Sequence, residues 1–164
     1  MAIFNSYRDS IIIKDHVKAK HIVAGDYSYY SGYYHDKSFE DCVMYLDEAD
    51  NRIGPNEIDR LIIGKFCSIA TGAKFMMGGI QGHNYEWIAA YSLDFLDDDF
   101  DNYNLVAPKG QKLKGDTLLG NDVWIGAESM IMPGVHIGDG AVVHEAWLPR
   151  MLVLMKYGEE IPRV

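Results

Sequence analysis

Six histidines are the residues best suited to proton chemistry in this chain, because an unperturbed imidazole titrates at about 6.5. His83 stands out among them. It lies in the run Gly82–His83–Asn84–Tyr85–Glu86–Trp87. A base there could remove the proton of a hydroxyl as its oxygen attacks a carbonyl. Spacing alone also fits a surface-loop histidine. His16 and His21 have four residues between them, which invites zinc, but no third histidine stands in register and no metal is expected. His35 adjoins the tyrosines between Tyr27 and Tyr34 and could line a pocket. His136 occupies a turn-facing position and reads as solvated. Cys67 reads as a small core residue and Cys42 as a free thiol. The acidic run from Asp94 to Asp101 lacks the glycine and terminal glutamate of a calcium loop, so it reads as solvated. The chain shows no P-loop, dinucleotide glycine signature or serine-hydrolase elbow.

The elements that must position these residues announce themselves as a repeat. Stepping by six from Ile63 lands on Ile69 and Phe75. Stepping by six from Leu119 lands on Ile125, Ile131, Ile137 and Val143. The residue after a landing is small at Gly64, Ala70, Gly120, Gly126 and Gly138. A six-residue period fits neither a 3.6-residue helix nor a simple alternating strand. It fits a coil of three short strands with sharp turns, each aliphatic landing pointing inward. Stacked coils then satisfy one another's backbone groups at about 4.8 Å. The expected fold is all-β, a parallel β-helix of the hexapeptide-repeat kind. Residues 76–118 break the period and hold His83, and a long excursion from a rigid solenoid is usually functional. Ala24 to Tyr34 reads as strand plus turn. Residues 35–60 read as another loop, with a weak helical tendency between Ser38 and Asp47. Residues 1–143 are expected to form one domain and residues 144–164 an atypical tail.

Composition narrows the classes. The chain has 164 residues, of which 48% are hydrophobic, enough for one packed domain. A net charge of -9 argues against a nucleic-acid surface. There is no apolar run of about 18 residues, so no membrane partner is expected. The N-terminus lacks the charged-then-apolar pattern of a secretory leader, and two cysteines make no disulfide framework. A cytoplasmic setting is expected.

Three stretches carry a resemblance. GDYSYYSGYYHDKSFEDCVMYL (25–46), IIGKFCSIATGAKFMMGGIQGHNYEW (62–87) and GDTLLGNDVWIGAESMIMPGVHIGDGAVV (115–143) are similar to the xenobiotic acetyltransferases, specifically the type B chloramphenicol acetyltransferases. The streptogramin acetyltransferases share the pattern. The resemblance implies a left-handed helix and a homotrimer with sites between subunits. It implies acetyl transfer from acetyl-CoA to a hydroxyl of chloramphenicol or a similar antibiotic, with His83 as general base. It implies that Tyr30 and Tyr33 line the acceptor pocket. It also implies that Trp124 borders the CoA channel, with backbone groups of Gly126 and Ala127 facing the pantetheine. A streptogramin or sugar acceptor would keep the same fold and base.

After Val143 the resemblance stops. HEAWLPRMLVLMKYGEEIPRV does not keep the six-residue step. One permitted set of codons for Trp147 to Arg163, read two letters on, encodes VTKDVGPYEIRGGNPA, the segment the resembled family carries there. A frameshift near Val143 is therefore the expectation. Ile137 and Val143 would lose their upper neighbours and the family's CoA-contacting coil would be absent. The alternative to an active enzyme is then a truncated relative that folds without turning over.

Overall fold

A computed structural model describes residues 3–46, 59–78 and 113–144, and the backbone of 147–148. The described strands are two or three residues long, the length of one side of a triangular coil. In the first sheet, β1 (Ile11–Ile12) is joined by β3 (Tyr29–Ser31), β6 (Ser68–Ala70), β9 (Trp124–Ile125) and β12 (Val142–Val143) in that order. A second sheet stacks β2 (Ile22–Ala24), β5 (Leu61–Ile63), β8 (Thr117–Leu119) and β11 (His136–Ile137). The third stacks β4 (Val43–Met44), β7 (Lys74–Met76), β10 (Met130–Ile131) and β13 (Trp147–Leu148). All these pairings are parallel except β1 with β3.

The two blocks of the six-residue step are one stack. Ile63 pairs with Leu119 and Leu119 with Ile137; Ile69 pairs with Ile125 and Ile125 with Val143; Phe75 pairs with Ile131. All eight landings are buried, none more than 3% exposed. A second inward row lies four positions after six of the landings: Cys67, Ala73, Val123, Ser129, Val135 and Ala141, all buried. Large and small inward rows alternate, which lets a narrow prism pack without voids.

Corners are held by backbone geometry and side-chain ladders. Tyr27, Phe66, Asp122 and Gly140 occupy equivalent corners, with φ of 64°, 61°, 55° and 70°. Tyr27 and Phe66 stack there, ring centres 5.1 Å apart. Asn121 Oδ1 accepts from the Lys65 N–H at 2.9 Å, and Asp139 Oδ1 accepts from the Asn121 N–H at 2.6 Å. Each corner amide is thus satisfied by the next coil. Where the chain re-enters the stack, Asp59 accepts from the Lys114 and Gly115 N–H groups, and Arg60 forks onto Asp116. That ion pair holds the Asp116 carboxyl below its usual range, chiefly through the Arg60 hydrogen bond, while burial pushes the Asp59 carboxyl up.

Several expectations shift. The excursion drawn as 76–118 gives up Met76 to β7 and Thr117 and Leu118 to β8. The helical tendency after Ser38 resolves into a 3₁₀ turn, Glu40–Cys42, followed by β4. Phe39, Cys42 and Val43 are all buried, and a strand is needed to deliver Val43 inward opposite Phe75. An all-β reading also left out a helical turn among the described residues, α1 (Ile13–His16). Its Ile13 and the nearby Phe4 are buried at the lower end of the core. At the upper end Val143 is not the last stacked residue. β13 pairs with β10, Trp147 opposite Met130 and Leu148 opposite Ile131. Among the described residues, no helix is long and apolar enough to cross a membrane.

Candidate active site

A strand alternates its side chains, so every inward row has an outward counterpart. On the first sheet that counterpart is Tyr29, Ser68, Trp124 and Val142, paired in register. Trp124 is 45% exposed, and its ring meets the edge of His144 at 5.9 Å. The indole is therefore presented to solvent. Ala127 is exposed two residues past the end of β9. Gly126 sits inside the stack. It is buried, its N–H donates to Val143 O at 2.6 Å, and its carbonyl accepts from the Ser129 N–H. The N–H is consumed by the stack, while the carbonyl carries only a 3.4 Å bond from its own turn and keeps accepting capacity.

The tyrosine cluster divides. Tyr30 does not line a pocket: it is 0% exposed, pairs with Ile69 as an inward landing, and packs edge-on against Phe4 and Phe39. Assembly into an oligomer removes surface and cannot expose it. The Cys42 thiol donates to the Tyr30 hydroxyl at 3.2 Å, and burial pushes the Tyr30 phenol well above its ordinary range. Tyr33 is 38% exposed and meets Tyr34 edge-to-face at 5.3 Å. It remains a side chain that a flat acceptor could reach.

Sequence reasoning flagged His35 and missed its partners. His35 Nδ1 lies 2.8 Å from Thr71 Oγ1, and Nε2 lies 2.9 Å from Glu128 Oε1. Lys74 Nζ approaches the other Glu128 oxygen at 3.5 Å. Three successive coils meet here at one corner. The turn after β3 brings His35, the turn after β6 brings Thr71, and the turn after β9 brings Glu128. The repeat could have revealed part of this, because Gly72 and Glu128 fall at equivalent places after Ile69 and Ile125. A Cβ at Gly72 would run into the Glu128 carboxylate, so glycine is what leaves room for it.

The remaining candidates are structural or solvated. Cys67 is buried with its thiol donating to Gly120 O, and Cys42 is a free buried thiol. Burial raises both thiol pKa values, which suppresses nucleophilicity. His136 is exposed but lies in β11 rather than in a turn. His16 Nδ1 pairs with Ile12 O. Among the described residues no cluster of His, Cys, Asp and Glu could hold a metal. His83 lies outside the described residues.

The outward row on the first sheet, Tyr29, Ser68, Trp124 and Val142, is thus carried by a solenoid with a six-residue repeat. Residues 116–145 match the family described as "Bacterial transferase hexapeptide (six repeats)". The particular relatives are consistent. The chain is 49% identical over 144 residues to a chloramphenicol acetyltransferase of Agrobacterium fabrum, covering 85% of this chain and 63% of that protein. It is 44% identical over 140 residues to a chloramphenicol acetyltransferase of Morganella morganii, with the same coverage. A virginiamycin A acetyltransferase of Staphylococcus aureus is 43% identical over 72 residues, 44% of this chain and 29% of that protein. The chain is thus similar to these chloramphenicol acetyltransferases and spans 63% of the length of the first two.

Proposed function

We propose that the protein is an O-acetyltransferase that moves acetyl from acetyl-CoA to a hydroxyl of chloramphenicol or a similar antibiotic. The observation that carries this reading is the 44–49% identity to chloramphenicol acetyltransferases over 80–85% of the chain. In this reading the coil is left-handed, the protein works as a cytoplasmic homotrimer, and each site lies between two subunits.

His83 is the general base. Its imidazole takes the proton of the acceptor hydroxyl as the oxygen attacks the thioester carbonyl. A tetrahedral oxyanion forms, needs hydrogen-bond donors around it, and collapses with loss of the CoA thiolate. The acceptor wall is Tyr33, because Tyr30 is sealed in the core. The pantetheine arm runs along the outward row beside Trp124 and over Ala127, the exposed neighbours on β9 and its following turn. Gly126 keeps that turn narrow and offers the arm its backbone carbonyl.

The test is acetylation followed by release of the CoA thiol, with chloramphenicol, a streptogramin, a macrolide and a hexose-containing acceptor run in parallel. Chloramphenicol is expected to be the best acceptor. His83→Ala should lower kcat about 100- to 10,000-fold while leaving acetyl-CoA binding intact. Wild-type protein with no thiol release on any acceptor would overturn the reading. A His83→Ala variant with near wild-type turnover would overturn the base assignment.

A further inference from the structure

Turn 32–36 carries Tyr33 and Tyr34 out of the stack. Internally it is closed by the His35 and Asp36 N–H groups donating to Gly32 O. At its far end Asp36 Oδ1 accepts from the N–H groups of Ile3 and Phe4. Neither set of bonds fixes the turn relative to the coils above. The His35 ring does, because it bridges two of them at once.

The chemistry of the bridge assigns one ring hydrogen. A carboxylate only accepts, so the 2.9 Å contact to Glu128 places a hydrogen on Nε2. Nδ1 meets the Thr71 hydroxyl, which can donate or accept, at 2.8 Å. Every polar atom of the ring is used, and the ring plane is fixed by bonds at opposite edges. The Glu128 carboxylate is in turn held by Lys74 and by the space over Gly72. Its backbone N–H donates to Thr71 O at 3.2 Å, which ties the two coil corners together. His35 and Glu128 are 39% and 50% exposed at their side chains, and half-exposed pairs contribute little to global stability. A bridge this specific and this exposed acts locally, on the turn.

We propose that His35 is a positioning residue: through Thr71 and Glu128 it pins turn 32–36 to the coil corners and so sets where Tyr33 meets the acceptor. The inference rests on the reading above that Tyr33 forms the acceptor wall. His35 touches neither the reacting atoms nor the thioester. The same corner follows β9, the strand of Trp124, so the bridge also sets the acceptor wall relative to the strand along which acetyl-CoA lies.

The experiment pairs steady-state kinetics with amide hydrogen exchange on the intact protein. His35→Ala is expected to raise KM for chloramphenicol about tenfold, the order expected from losing two net hydrogen bonds. kcat and KM for acetyl-CoA should stay within about twofold. Amides of residues 33–36 should exchange faster, while those of β6 and β9 stay protected. His35→Gln, whose amide nitrogen reaches the place of Nε2, should recover most of the loss, and Glu128→Gln, whose amide oxygen still accepts, should lose little. Unchanged exchange at residues 33–36 would overturn the bridge. A fall in kcat at constant acceptor KM would overturn the positioning role. If wild-type protein neither acetylates nor binds chloramphenicol, the functional reading is what fails, and the exchange measurement alone still decides the bridge.

Discussion

Ser28 and Ser129 are both fully buried, yet their hydroxyls have opposite surroundings. Ser28 Oγ donates to Gly64 O at 2.7 Å and accepts from the Cys67 N–H at 3.0 Å. Ser129 Oγ has no hydrogen-bond partner among the described residues. Removing a bonded hydroxyl strands two buried backbone groups, whereas removing an orphan strands none. Ser28→Ala should therefore destabilise by about 1–3 kcal/mol. Ser129→Ala should be neutral or stabilising, both read as midpoint shifts in urea. The reverse order would refute the bonding pattern. Single residues were unevenly legible in the sequence. Cys67 could be read as core because it is small and sits between a landing and a corner. The resemblance puts Tyr30 in the acceptor pocket, whereas Tyr30 stands six residues after Ala24 and obeys the step that turns a side chain inward. The partners of His35 were invisible, since Thr71 lies 36 positions away and only the stack brings them together.

The coil corner is an element that repeats, and its tolerances repeat with it. A Cβ added at Gly64 would collide with the backbone carbonyl of Gly120, and one at Gly25 would come within 2.7 Å of Gly64. These obstacles are main chain in the adjacent coil and cannot swing aside as a side chain can. Gly64→Ala should thus separate the coils locally and cost about 1–3 kcal/mol, the usual range for overpacking. Faster amide exchange at Lys65 and Asn121, whose corner bonds depend on that spacing, should accompany the loss. An Ala variant with wild-type midpoint and exchange would show that the coils tolerate a wider gap. Strands with a clean six-residue step were readable because burial repeats at that interval. β4 was not, because thirteen residues separate Tyr30 from Val43 where the step allows six. β13 was not, because Leu148 falls seventeen residues after Ile131, one short of the eighteen that separate Leu119 from Ile137. In both cases inter-coil hydrogen bonds set the register, and those are not written in the local period.

At the scale of the whole molecule, the long insertion between β7 and β8 divides the sequence but not the core. Phe75 shows this most directly. It is 0% exposed, lies in register between Val43 and Ile131, and packs edge-on against Phe39 at 5.9 Å. Its contacts therefore span coils contributed by residues before and after the insertion. In a stack where each coil is stabilised by its neighbours, a central vacancy weakens the levels on both sides. Phe75→Ala should cost about 3–5 kcal/mol through lost burial and a residual cavity. It should also speed exchange in the 61–76 strands and the 117–143 strands together. Two independently folding blocks would instead lose protection on one side only, and that result would replace the single stack with two domains. Joint loss matters for the functional reading too. The corner that holds Tyr33 draws its partners from both sides of the insertion, Thr71 before it and Glu128 after. Acceptor affinity in Phe75→Ala should accordingly fall at temperatures below global unfolding, because a site assembled from stacked corners loosens before the stack comes apart.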